Sequence, residues 1–189
     1  MADGGRVIAG RARGIRLESA PEGTRPLTNR VKEALFAALE AGGALDGPFL
    51  DLFAGSGAAG IEALSRGAPS ATFVEREGKA CAVIGANLRR ARLEGGQVVR
   101  ADVIAFLATP PAVDRHPYRA CLADPPYRAA LMDRVLESLG DPARGWLAAD
   151  AVVVARHFWR DQPPPAVGTL QLERQRRFGE TMLSFYTGR

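Results

Sequence analysis

Short apolar runs alternate with helical patterns along most of the chain, and this alternation predicts the fold. Between the runs, apolar residues recur every three or four positions, which is typical of amphipathic helices. Near-continuous apolar strands separated by helices indicate a parallel sheet that is covered on both faces. The predicted strands are 49–53, 71–75, 97–100, 119–124 and 151–155, and the predicted helices are 30–41, 57–66, 78–91, 102–108 and 128–139.

The two ends of the chain depart from this alternation. Segments 169–174 and 181–187 flank a turn at Phe178-Gly179 and predict a closing antiparallel hairpin. Short β-like pieces at 6–9 and 15–17 predict a small hairpin ahead of the first helix. We therefore expect a Rossmann-like α/β fold with a mostly parallel, seven-stranded sheet. We expect residues 1–41 to form an arm that packs on the core. The core is residues 42–189, and the whole chain of 189 residues is expected to be one compact domain.

The segment Phe49–Gly60, with sequence FLDLFAGSGAAG, predicts a strand, a tight loop and the start of a helix. Glycine lets a loop turn sharply and lets a ligand approach the backbone, while the helix directs its free N–H groups at that ligand. The glycines also satisfy G-x-G-x-x-G, the pattern of dinucleotide enzymes. Asp51 argues against this alternative, because its charge would lie where a pyrophosphate binds and suits a cationic or amine-bearing ligand instead.

Acidic residues stand at or near the ends of four predicted strands: Asp51, Glu75, Asp102 and Asp124. In such a sheet the ligand lies outside the carboxyl ends of the strands. Glu75 ends the second strand and suits two ribose hydroxyls. Asp102 suits an exocyclic amine such as that of adenine, and it equally suits the cap of the following helix.

The tetrad Asp124-Pro125-Pro126-Tyr127 follows the fourth strand and carries the chemistry. Two prolines remove two N–H groups and stiffen the turn, so the Asp124 carboxylate and the Pro125 carbonyl remain as acceptors. Tyr127 adds a flat face. Together these groups can hold a planar amine with its nitrogen directed at an electrophile.

Basic charge is concentrated at the start of the chain. Residues 1–32 hold seven basic and three acidic residues, a surplus that equals the net charge of the whole chain, +4. Arginines here suit phosphate, and a solvated surface hairpin is the alternative. The candidate phosphate-binding residues are Arg6, Arg11, Arg13, Arg16, Arg25 and Arg30.

The composition argues against a membrane protein and against a metal-binding protein. No apolar run is long enough for a membrane span, and the first residues have no apolar signal segment. Two distant histidines give no metal-binding spacing. We expect a cytoplasmic monomer that binds neither metal nor membrane.

Taken together, these motifs resemble a class I S-adenosylmethionine-dependent methyltransferase of the amino-methylating kind. More closely, the chain resembles the RsmD family, which methylates the exocyclic N2 of one guanine in 16S ribosomal RNA. The tetrad alone is shared with DNA adenine methyltransferases. The closer resemblance is carried by RVIAG at 6–10, RPLTNRVKEALF at 25–36, LDLFAGSG at 50–57 and FGET at 178–181.

The resemblance implies a role for each candidate residue. Asp51, Gly55 and Gly57 line the methionine part of S-adenosylmethionine, and Phe53 and Asp124 also contact this cofactor. Glu75 binds the ribose and Asp102 the adenine amine. Asp124, Pro125 and Tyr127 hold the guanine. The implied partner is 16S ribosomal RNA, in a partly assembled small subunit, and the candidate arginines of the arm are then RNA-binding.

One stretch departs from the family pattern, and other functions stay open. Arg156-His157 stand after the fifth predicted strand, where acidic residues are expected, so this loop has no assigned role. The alternatives are a DNA adenine or protein-glutamine methyltransferase, an NAD-type oxidoreductase, and a nucleic-acid-binding module with a vestigial cofactor site.

Overall fold

A computed structural model describes residues 3–20, 27–109, 111, 117–126 and 129–188. The strands are β1 Asp3–Arg6, β2 Arg16–Glu18, β3 Phe49–Leu52, β4 Ala71–Glu75, β5 Gly96–Arg100, β6 Tyr118–Ala123, β7 Leu147–Phe158, β8 Ala166–Val167, β9 Leu170–Phe178 and β10 Thr181–Gly188. The helices are α1 Asn29–Ala41, α2 Ala58–Arg66, α3 Gly78–Ala91, α4 Val103–Ala108 and α5 Ala129–Gly140, and 3-10 turns span Ala44–Asp46 and Pro142–Arg144.

The central sheet has the strand order β5-β4-β3-β6-β7-β10-β9-β8. The first five of these strands are parallel, and the last three pair antiparallel. The order reverses between β3 and β6, which is the switch point at which such sheets bind ligands. This arrangement confirms the predicted fold class, and the two-residue β8 adds an eighth strand to the expected seven.

Helices cover both faces of the sheet, as the buried strands require. On one face α1, α2 and α3 pack over Phe49, Phe73, Leu122 and Phe185. On the other, α4 and α5 pack over Leu50, Val74, Ala123 and Tyr186, among others. Because side chains alternate along a strand, the face of Phe49 and Phe73 is also the face of Asp51 and Glu75. We call it the α1 face.

Strand β7 is longer than expected and changes one interpretation. It runs to Phe158, so Arg156-His157 lie within the strand and not in a loop after it. The extension pairs with β10, through Phe158 opposite Thr181 and Arg156 opposite Leu183. Backbone pairing at a distance in sequence therefore extends the strand beyond its apolar run.

The buried carboxylate of Glu62 on α2 fastens the N-terminal arm to the core. It accepts hydrogen bonds from the backbone N–H groups of Ile8 and Ala9 at 2.8 and 3.0 Å. It also accepts from Lys32 Nζ at 3.4 Å and Arg66 Nε at 2.8 Å. The side chain of Glu62 is fully buried, so two cations and two amides satisfy a charge that water cannot reach.

None of the helices in the described part of the chain is long and apolar enough to cross a bilayer.

Candidate functional site

The loop after β3 makes a tight, strained entry into α2. Phe53 has φ 61°, Gly55 has φ 55° and Gly57 has φ 78°. The left-handed conformation costs a non-glycine residue about 1–2 kcal/mol, so Phe53 is held there by its surroundings. Gly57 caps α2 in this conformation, and a Cβ at Gly60 would lie 2.3 Å from the Phe73 ring. Local backbone geometry therefore explains these glycines and brings main chain to the end of the sheet.

Two carboxylates fasten the loop at its ends. Asp51 Oδ2 accepts a hydrogen bond from the Gly60 N–H at 2.8 Å. Glu75 Oε2 accepts from the Gly55 N–H at 2.9 Å, and its Oε1 accepts from the Glu77 N–H at 2.9 Å. Asp51 and Glu75 are therefore partly committed to holding the loop, and only their remaining lone pairs are available to a ligand.

Burial changes the acidity of Asp51. Its side chain is almost fully buried, and its pKa is raised from the ordinary 3.8 to about 8, mainly by this desolvation. Within that net value the Gly60 hydrogen bond lowers the pKa, and the charges of Asp124 and Glu75 raise it. Asp51 is thus largely protonated at neutral pH unless a positive charge approaches.

Asp124 follows β6 and is held by an arginine from the neighbouring strand. Arg156 Nη1 donates to Asp124 Oδ2 at 2.6 Å, and the arginine side chain is 8% exposed. Burial raises the pKa of Asp124, and the adjacent guanidinium lowers it. Sequence reasoning left Arg156 without a role. The signal that would have found it is strand register, since Ala123 pairs with Ala155 and thus places Asp124 level with Arg156.

Asp102 caps α4, which was one of its two predicted roles. Its Oδ1 accepts from the N–H groups of Ile104 and Ala105 at 2.9 and 3.1 Å. No described group donates to its Oδ2, and the side chain is exposed. One carboxylate oxygen caps the helix and the other can receive a ligand.

A cavity of about 590 Å³ collects most of the candidate residues at the carboxyl ends of the parallel strands. This volume is in the range of small-molecule and cofactor sites. The sequence-predicted residues that line it are Asp51, Phe53, Gly55, Glu75, Asp102, Asp124 and Pro125. Gly57 is the predicted cofactor residue that does not line the cavity. Tyr127 lies outside the described residues.

The cavity also has lining residues that the sequence did not suggest. Ser19, Ala20 and Leu27 of the arm contribute to its wall, together with Lys79 and Arg156. The arm therefore contacts α2 and also forms part of the cavity wall. Five acidic residues line the cavity and three basic ones, Arg76, Lys79 and Arg156, lie among them. This excess of acids suits a ligand with positive charge and N–H or O–H donors.

The arm's arginines lie at the surface, in agreement with a binding role that stays a prediction. Arg6, Arg11, Arg13, Arg16 and Arg30 are exposed, and Arg25 lies outside the described residues. Lys32, which contributed to the basic surplus, is 1% exposed and bonded to Glu62, so it cannot reach a phosphate.

Metal ligation finds no support in the described ranges. There, no group of three or more His, Cys, Asp or Glu side chains is placed to bind a metal ion.

Comparison with known sequences connects this chain to a protein family. Residues 5–187 match the family model described as Conserved hypothetical protein 95. The chain is 34% identical over 182 residues to Ribosomal RNA small subunit methyltransferase D of Escherichia coli, covering 96% of this chain and 88% of that protein. It is 37% identical over 188 residues to the Putative rRNA methyltransferase YlbH of Bacillus subtilis, covering 97% and 99%.

Solved structures give the same relationship. A putative methyltransferase, yhhF, from Escherichia coli superposes with a TM-score of 0.85 at 32% identity, covering 97% of each chain. A putative methylase from Haemophilus influenzae superposes with a TM-score of 0.79 at 27% identity, covering 99% of each chain. A putative methyltransferase, SMU.776, complexed with SAH, shares the fold at a TM-score of 0.60 and 14% identity, covering 76% of this chain and 47% of its own.

Proposed function

The chain belongs to the RsmD family of small-subunit ribosomal RNA methyltransferases, and we propose that it transfers a methyl group from S-adenosylmethionine to the exocyclic N2 amine of a guanine in 16S ribosomal RNA. The observation that carries this proposal is the position of Asp124. It lies at the same cavity as Asp51 and Glu75, directly after the central strand β6, and its carboxylate is fixed by Arg156.

The cavity's donor and acceptor groups fit S-adenosylmethionine. Bound there, this cofactor supplies an electrophilic methyl group on a positively charged sulfur. Asp51 is a buried carboxyl group that a nearby cation would ionise. Glu75 has lone pairs left for ribose hydroxyls, and Asp102 Oδ2 can accept from the adenine amine. The SAH complex of SMU.776, a protein that shares this fold, is consistent with a cofactor of this class.

Asp124 and Pro125 hold and activate the guanine amine in this proposal. The amine of guanine is a weak nucleophile because its lone pair is delocalised into the ring. Hydrogen bonds from both N–H groups, one to the Asp124 carboxylate and one to the Pro125 carbonyl, favour a localised lone pair. The two acceptors also stabilise the positive charge that develops on nitrogen as the methyl group passes to it from sulfur, and the nitrogen then loses one of its protons. Tyr127 stacks on the base.

Positioning supplies most of the acceleration, since no group of the protein has to form a covalent bond. The guanine must leave its stack to enter the cavity, so the RNA has to be held on both sides of it. In this proposal the exposed arginines of the arm grip that RNA, which is supported by the contribution of Ser19 and Ala20, from the same arm, to the cavity wall.

Labelled methyl transfer tests the proposal against its competitors. The wild-type protein is incubated with labelled S-adenosylmethionine and, separately, ribosomal RNA, small subunits from cells that lack the gene, duplex DNA and peptides. We expect transfer to the RNA substrates alone. Transfer to DNA or peptides would support the other amino-methylating functions, and calorimetric binding of NAD without S-adenosylmethionine would support an oxidoreductase.

A variant pair then tests the site. Asp124→Ala should abolish transfer while cofactor binding largely survives. Asp150→Ala is the matched control, because Asp150 also pairs with an arginine, Arg119, but is 63% exposed. Normal transfer by Asp124→Ala would remove Asp124 from the mechanism.

A further inference from the structure

The turn regions that follow β7 and β9 project beyond the cavity at the same end of the sheet. Trp159 directly follows β7, three residues after Arg156, which lines the cavity. At about 3.3 Å per residue, this places the tryptophan roughly 10 Å further along the strand direction than the arginine that holds Asp124. The β9–β10 turn lies beside it, since the Trp159 N–H donates to the Glu180 carbonyl at 3.0 Å.

Two arginines lie against the Trp159 ring and form with it what we call the rim cluster: Trp159, Arg160 and Arg177. The Arg177 guanidinium is 3.7 Å from the ring centroid, and that of Arg160 is 4.9 Å away. Arg177 Nε also donates to the Gly179 carbonyl at 2.8 Å, so its orientation is set by two contacts. Stacking of a guanidinium on an aromatic ring extends the flat surface and keeps the charge exposed.

The rim arginines differ from most other bonded arginines in having no carboxylate partner. Arginines at 66, 76, 90, 119, 144 and 156 each form an ion pair. Within the described ranges, no carboxylate lies at ion-pair distance from Arg160 or Arg177. The terminal nitrogens of Arg177 meet no described acceptor either. Two oriented cations are therefore left for an anion from outside the chain.

Exposure and nearby charge agree with an external anionic partner. Arg160, Arg176 and Arg177 are exposed, and Trp159 is half-buried. The two turns and the last residues of β9 together hold three arginines, at 160, 176 and 177, and two acidic residues, Asp161 and Glu180. On the opposite face of the same hairpin, Arg30 of the arm lies 5.9 Å from the Phe178 ring centroid, so a cation of the arm also lies near this turn.

We propose that the rim cluster binds single-stranded RNA, with a base stacked on the Trp159–Arg177 layer and its phosphate held by Arg160 and Arg177. This inference rests on the proposed function, because it assigns the occupant as a nucleotide flanking the base that enters the cavity. Sequence-tolerant RNA binding commonly combines an aromatic platform with arginine in this way. None of the three residues was predicted from the sequence to contact RNA.

Tryptophan fluorescence reports on this surface directly. The chain has two tryptophans, and Trp146 is 3% exposed and donates its indole N–H to the Leu107 carbonyl at 3.1 Å. We expect a ribosomal RNA fragment to quench emission from the wild-type protein. Trp159→Phe, which retains a ring and leaves Trp146 as the sole reporter, should show no quenching.

Binding and transfer measurements complete the test. Trp159→Leu should weaken binding of the RNA fragment about tenfold or more, since it removes a base–aromatic stack. Arg177→Gln should weaken binding severalfold and lower the salt dependence by about one phosphate contact. Both variants should bind S-adenosylmethionine as the wild type does. The control is Arg89→Gln, which removes the same charge from an exposed position on α3.

The outcomes separate the two proposals. If the wild type methylates ribosomal RNA and both rim variants bind RNA like Arg89→Gln, the rim cluster has no such role. Loss of methylation on assembled subunits with unchanged binding of naked RNA would mean that a protein occupies the surface, and would also overturn the inference. If the wild type binds RNA through the rim cluster but transfers no methyl group, the proposed function fails and the surface stands. If Trp159→Leu does not fold, Arg177→Gln alone still tests the proposal.

Discussion

Arg156 on β7 holds Asp124 at the end of β6 by a hydrogen bond of 2.6 Å between Nη1 and Oδ2. The two residues are neighbours because parallel pairing of β6 with β7 sets them level. The pair places a buried cation directly behind the carboxylate that is proposed to hold the substrate amine. Arg156 is therefore a positioning residue, since it orients Asp124 and favours its ionised form.

Replacing Arg156 should move the pH dependence of the reaction. The arginine lowers the pKa of Asp124, so Arg156→Gln should raise that pKa and leave less carboxylate at neutral pH. We expect the acidic limb of the kcat profile to shift to higher pH, with activity recovering as pH rises. Cofactor affinity should change little. Arg119→Gln is the control, because it breaks a surface pair with Asp150, and its profile should match that of the wild type.

Cofactor binding should release a proton at neutral pH. Asp51 has a pKa of about 8 in the folded protein, so it is mostly protonated at pH 7, and a cationic ligand favours its ionised form. Affinity should therefore rise with pH between 6 and 8, by at most about tenfold per unit. Calorimetry in buffers of different ionisation enthalpy counts the released protons.

The raised pKa of Asp51 also determines how the stability of the protein changes with pH. Between pH 4 and 8 the folded protein retains a proton on Asp51 that the unfolded chain has lost, so this group's contribution to stability falls as pH rises. Asp51→Asn should reduce both the proton release and this slope, whereas Asp46→Asn, at an exposed position, should change neither. Equal proton release from wild type and Asp51→Asn would contradict the assignment.

Glu62 should be among the most sensitive positions for stability. Glu62→Ala leaves Lys32 buried without a carboxylate and removes the acceptor of two arm amides, so we expect a loss of about 3–5 kcal/mol in the free energy of unfolding. Glu40→Ala is the control. Glu40 contacts the same Arg66 but is 47% exposed, and its loss should cost at most about 1 kcal/mol by denaturant titration.

The arm's arginines should set part of the salt dependence of RNA binding. Replacing Arg11, Arg13 and Arg16 by glutamine should weaken binding at low salt. It should also reduce the slope of log affinity against log salt by about 2, at roughly 0.7 per contact with a single strand.

A control triple removes the same charge elsewhere and should leave the slope nearly unchanged. Its members are exposed or half-exposed and do not belong to the arm: Arg89, Arg92 and Arg119. If the two triple variants show the same slope of log affinity against log salt, the arm's arginines do not bind RNA and form only a solvated surface.

Local patterns predicted most of the elements because strands and helices here carry strong periodicity. The bounds of β4 and α3 agree with the sequence, and α2 begins one residue later, at Ala58. Asp102 behaves as its type and position suggest, as a helix cap. The strand-end acids come together because parallel strands direct their carboxyl ends to one edge.

The relationships that sequence reasoning missed depend on contacts between distant segments. Arg156 meets Asp124 across 32 residues, through strand register. Arg177 reaches Trp159 only because β7, β10 and β9 pair beyond the apolar part of β7. A lysine in a basic segment is expected at the surface, yet Lys32 is buried against Glu62 in the fold. No local propensity encodes such pairings.

Mapping modified nucleotides in small-subunit ribosomal RNA tests the central claim most directly. RNA from cells with the gene, cells without it, and cells that carry Asp124→Ala is digested and analysed by mass spectrometry. We predict one N2-methylguanosine that is present with the wild-type gene and absent from the other two. The same guanosine methylated in all three, or a loss of methylated adenosine in its place, would contradict the account.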